Sequence, residues 1–104
     1  MRTLKFVVTG QKLSVDPGCD TGGLVAGSVG YLNAEFRTDA AWKGCKIAAS
    51  FWKGSKEYAV PVRNGTCEID PEALTGYMFG VSLTGVRDGY KIKTNKVFLK
   101  QEVL

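Results

Sequence analysis

The chain has no histidine anywhere in its 104 residues. That removes the commonest general base and the commonest metal ligand together. Neither a Ser-His-Asp nor a Cys-His arrangement can be built without it. A Ser–Lys pair would be the remaining route to an activated nucleophile. Ser55 and Lys56 are adjacent and Ser50 lies on the preceding strand, but no spacing brings a base onto either hydroxyl. The carboxylates Glu35, Glu57, Glu68 and Glu72 are scattered over polar faces rather than paired as glycoside hydrolysis requires. No catalytic residue, cofactor site or metal site is therefore expected, and the chain reads as a non-enzyme.

Cysteine is sparse and odd in number. Cys19, Cys45 and Cys67 form no Cys-x-x-Cys pair, which fits neither a zinc site nor a disulfide scaffold. Cys45 shares strand parity with Ile47, Ala49 and Phe51, and Cys67 shares it with Ile69, so both read as small buried hydrophobes. Cys19, in the loop Asp16-Pro17-Gly18-Cys19-Asp20, is the candidate for exposure. Long apolar runs are missing too. The opening segment Leu4–Val8 is cut short by Gly10-Gln11-Lys12, far below the length of a signal-peptide core or a membrane span. Cytoplasmic synthesis without a signal peptide is the expectation, with no membrane contact.

The charge is mildly basic: Lys+Arg 14 against Asp+Glu 10, a net +4. The lysines are dispersed, which argues against nucleic acid as the main partner. The densest stretch is Lys91, Lys93, Lys96 and Lys100; Lys91 and Lys93 share a parity and read as the wet face of a strand.

Glycine is what the chain has in excess, with 13 against 3 prolines, as suits a small all-β domain that turns often. Alternation predicts strands with Leu4, Phe6 and Val8 inward, then Leu13 and Val15, then Leu32, Ala34 and Phe36. Further strands place Ile47, Ala49 and Phe51 inward, return through Tyr58, Val60 and Val62, and continue with Phe79, Val81 and Leu83. Pro61 marks the returning strand as an edge. Lys53-Gly54-Ser55-Lys56 and Arg63-Asn64-Gly65-Thr66 have tight-hairpin chemistry. Single helical turns are expected after the cap residues Thr38 or Asp39, with Trp42 packed beneath, and after Asp70-Pro71. Tyr90–Lys93 and Lys96–Gln101 close the chain, divided near Thr94-Asn95. The whole predicts one domain over residues 1–104, an antiparallel Ig-like β-sandwich of seven or eight short strands with one-turn helical crossings. A small OB-like barrel is the competing architecture.

Two stretches invite a functional reading. Asp20–Ser28 is glycine-rich but lacks the Gly-Lys-Ser/Thr ending of a phosphate loop, and reads as a flexible connection. In Phe51–Tyr58, Phe51 claims the inward parity and leaves Trp52 outward beside lysines. Outward aromatics mark interfaces more readily than ligand platforms. Trp52, Tyr31, Tyr58 and Lys53 are the candidate interface residues. Two other functions would use the same aromatics: a carbohydrate-binding module contacting cell-wall glycans through Trp52 and Tyr58, or a single-stranded nucleic-acid binder on a barrel.

Several stretches resemble a known family: Leu4–Gln11, Tyr31–Phe36 followed by Trp42-Lys43-Gly44, Cys67–Leu74, Phe79–Gly85 and Thr94–Val97. Together the chain resembles small Ig-like β-sandwich domains of phages and prophages of Gram-positive bacteria, best known as the N-terminal domain of phage baseplate upper proteins. The resemblance implies a virion structural protein made in the bacterial cytoplasm, associated with the tail or baseplate or decorating the capsid. Its partners would be other virion proteins, a homo-oligomer among them, with a host surface glycan as the remaining ligand.

Overall fold

The computed structural model describes residues 1–104. The architecture is all-β with two short 3-10 turns and no α-helix. The strands are β1 (Arg2–Thr9), β2 (Lys12–Val15), β3 (Leu32–Thr38), β4 (Lys46–Lys53), β5 (Lys56–Val62), β6 (Thr66–Glu68), β7 (Met78–Arg87), β8 (Tyr90–Lys93) and β9 (Val97–Lys100). They form two separate sheets, one in the order β2-β1-β3-β6 and one in the order β5-β4-β7-β8 with β9 also on β7. No ladder joins the two into a closed barrel.

Alternation places the core as expected. Leu4, Phe6 and Val8 of β1, Leu13 of β2 and Leu32, Ala34 and Phe36 of β3 are buried from the first sheet. Ala49 and Phe51 of β4 and Phe79, Val81 and Leu83 of β7 meet them from the second, in one continuous cluster. Each such large side chain contributes about 1.5–3 kcal/mol on burial. Phe6 and Phe36 lie side by side in register and stack at 5.2 Å. That pairing corrects the antiparallel expectation in one place, because β1 and β3 run parallel. The long return between them, residues 10–31, makes this geometry open to the chain, since parallel neighbours need a long connection.

Three corners carry the chain between sheets. Asp39 caps the 3-10 turn Ala40–Trp42 by accepting from the Ala41 N–H at 3.1 Å, and this turn leads from β3 to β4. Trp42 is buried beneath it and its indole N–H donates to the Gly10 carbonyl at 2.8 Å. Asp70 caps the turn Pro71–Leu74 between β6 and β7 in the same manner. The third corner is Asn64-Gly65. Both residues have positive φ, and Arg63 and Thr66 exchange backbone hydrogen bonds across them. This is the tight turn that the sequence predicts, but its flanking strands diverge, β5 into one sheet and β6 into the other. It turns a corner rather than closing a hairpin.

β8 and β9 do not pair with each other. They lie end to end along β7, interrupted at Thr94–Lys96. The interruption is used. Thr94 takes both the N–H and the carbonyl of Leu83, the first with its hydroxyl and the second with its backbone. The Asn95 amide accepts from the Leu13 N–H at 2.8 Å and donates to the Leu13 carbonyl at 3.1 Å. Asn95 thus does for the edge strand β2 what a neighbouring backbone would do, and it ties one sheet to the other.

The long connection before β3 is held at several points rather than free. Arg2 donates to the carbonyls of Asp20 and Gly22, Leu24 is buried, and the Ala26 and Gly27 amides are taken by Glu102 and Leu74. Cys19, expected to be exposed, is half-buried: an Asp16 turn folds the loop back, and its Sγ accepts from the Lys5 N–H at 3.3 Å.

Candidate functional site

The two sheets have unlike outer faces. On the first, alternation brings out Thr3, Lys5 and Thr9 of β1, Asn33, Glu35 and Arg37 of β3, and Thr66 and Glu68 of β6, with Val7 the apolar exception. On the second, Ala48 and Trp52 of β4, Ala59 and Pro61 of β5, Met78 and Val86 of β7 and Phe98 of β9 point outward. That second face carries the exposed apolar side chains Phe98 (57%), Val86 (47%) and Met78 (45%). A sheet with one wet face exposes alternating polar residues, so the apolar outer face is the departure that needs an explanation.

Toward one end of it, an aromatic row crosses three strands. Trp52 is opposite Gly80, and Gly80 is opposite Phe98. A methyl group on Gly80 would meet the Phe98 ring at 3.1 Å and the Trp52 Cβ at 3.2 Å. The missing side chain is therefore what lets Phe98 lie across the strand toward Trp52. Beneath the row, Ser50 and Ser82 are buried although they lie on the outer face. Ser50 donates to the Glu57 carboxylate, and Ser82 accepts from the Trp52 indole N–H at 3.0 Å. The ammonium of Lys96 sits 3.5 Å from the centre of the Trp52 ring, a cation–π contact of about 0.5–2 kcal/mol. At the far end of the same face, Ala48, Ala59, Pro61, Thr84 and Val86 line a shallow groove of about 370 Å³.

The four residues singled out from sequence are not brought together. Trp52 lies on the apolar face, half-buried and capped by Lys96 rather than open. Tyr58 is opposite Phe51, not Trp52, so it turns toward the core and packs there, on the other side of the sheet. Tyr31 is exposed but belongs to the approach to β3 on the first sheet, where its carbonyl receives the Arg2 N–H. Lys53 is exposed at the β4–β5 turn, beside Gly76 rather than on the face. Trp52 and Tyr58 consequently form no shared platform for a sugar, and an indole face covered by an ammonium is closed to stacking.

Phe98, Met78, Gly80 and Lys96 complete the face and were not singled out. Met78 was legible, since Phe79 inward puts it outward. Phe98 was not, because Val97-Phe98-Leu99 is an unbroken apolar run in which alternation names no face. Cys45 and Cys67, expected to be buried, are only partly so and pack against the core; desolvation pushes the Cys67 thiol from 9.0 up to about 11. All three cysteines are free. No helix is long and apolar enough to cross a membrane. No protein-family model matches the sequence, and no curated protein matches it significantly.

Proposed function

We propose that this chain is a non-enzymatic docking domain, an Ig-like β-sandwich that works as a structural protein of a phage or prophage virion, on the tail or baseplate or as capsid decoration. The observation that carries the docking reading is the asymmetry between the two outer faces. A polar outer face on the first sheet needs no cover, whereas the second exposes Phe98 and Met78 at its aromatic row and Val86 at its other end. Large apolar side chains held on strands, with their backbones fixed in a sheet, are the ordinary material of interface centres.

The same geometry weighs against the other two functions. A glycan or a base would have to displace Lys96 from Trp52, and the two sheets leave no closed barrel to carry an oligonucleotide. Quantitative mass spectrometry of particles purified from the encoding strain tests the virion assignment. The chain is expected at a fixed stoichiometry with structural proteins. Its absence from intact particles, or saturable glycan binding lost on Trp52→Ala, would overturn the proposal.

A further inference from the structure

Charge on the apolar face identifies the kind of surface that covers it. Lys46, Lys91, Lys93, Lys96 and Lys100 stand on or over this face, and Glu57 is the acid among them. Glu57 is already engaged by Ser50. On the first sheet, by contrast, Lys5, Lys12 and Arg37 stand with Glu35 and Glu68, and Arg37 pairs with Asp16. The net positive charge of the chain is thus gathered on the face that also carries exposed Phe98, Met78 and Val86.

We infer that the partner of this face is a protein surface with an apolar patch bordered by carboxylates, and that the lysines select it. The inference rests on the docking reading above and adds the partner's chemistry. A second copy of the chain fits poorly, because a two-fold contact places the same patch on both sides and would set lysine against lysine. Nucleic acid fits less well than protein. Its bases need free aromatic faces to stack on, whereas the Trp52 ring is occupied by Lys96 and Phe98 interrupts the lysines of the β8–β9 edge. Phe98 is the anchor, and Lys93 and Lys100 lie on either side of it along the β8–β9 edge.

Fluorescence anisotropy with three labelled probes tests this: an alternating Glu-Leu peptide, a Lys-Leu peptide of the same length, and an oligo-dT strand. The Glu-Leu peptide is expected to bind at least about tenfold tighter than the Lys-Leu peptide and to weaken several-fold between low and moderate salt. Phe98→Ala should weaken it by about fivefold or more, and Lys93→Glu with Lys100→Glu by about tenfold, while Lys12→Glu on the first sheet leaves it unchanged. All these positions are exposed, and thermal melts verify folding. Equal binding of both peptides, oligo-dT binding that is tighter and indifferent to Phe98→Ala, or self-association through this face would each overturn the inference. Loss of acidic preference with Phe98→Glu still abolishing particle incorporation would remove the acidic partner but leave docking standing. Incorporation indifferent to Phe98→Glu would remove docking by this face altogether.

Discussion

At the scale of single residues, the tightest place in the molecule is where Trp42 meets β7. A Cβ on Gly85 would fall 2.7 Å from the Trp42 ring, and the ring is fully buried with its N–H committed to Gly10. Gly85→Ala is therefore expected to destabilise the fold by about 1–3 kcal/mol, as overpacking does, measured as a lower denaturation midpoint at unchanged slope. Gly80→Ala is less crowded, at 3.1 Å from the Phe98 ring and 3.2 Å from the Trp52 Cβ, and Phe98 is exposed and can move, so the cost should be smaller. Cys67 gives a pH signature. Below pH 9 its thiol is protonated in the folded and unfolded chain alike. Above that the unfolded chain releases a proton that burial makes the folded chain keep until about 11. Stability should fall across this window relative to a Cys67→Ala variant, as denaturation at pH 8 and pH 10.5 would register. The buried thiol should also alkylate slowly in the folded state.

Among the elements, the gap between β8 and β9 matters more than its length suggests. Asn95→Ala would strip partners from both the N–H and the carbonyl of Leu13 and loosen β2 from the second sheet. A loss of about 1–3 kcal/mol is expected, with faster amide exchange at Leu13. Asn95→Asp should recover only the contact to the Leu13 N–H. The strands themselves were largely legible, because period-two alternation reports which residues are buried whatever they pair with. Leu4, Phe6 and Val8 or Phe79, Val81 and Leu83 could be assigned without knowing their neighbours. Pairing could not. Nothing local in Arg2–Thr9 says that it runs parallel to Leu32–Thr38, and nothing in Arg63–Thr66 says that its strands part into two sheets. Turn chemistry fixes the bend of four residues, while the destinations of the strands depend on packing far along the chain.

For the whole molecule the same distinction explains the fate of the site. Trp52 could be read as outward from Phe51 alone, but its companions depend on register: Gly80 and Phe98 come from strands about thirty and forty-five residues away in sequence. Tyr58 looked like a partner because it is close in the chain, yet the β4–β5 register puts it behind the sheet. A face is a property of several strands at once, and only their pairing shows that the apolar and cationic residues gather on one side. The lysines acquire a meaning there as a charged row along the β8–β9 edge of that face.

The most direct measurement is the incorporation of variants into particles, quantified by mass spectrometry against wild type. Phe98→Glu, on the apolar face, should reduce incorporation about tenfold or more while the melting temperature stays close to wild type. Thr3→Glu, on the polar face of the first sheet, should incorporate normally. Normal incorporation of Phe98→Glu would contradict docking through the second sheet, and loss of Thr3→Glu beside it would move the contact to the first.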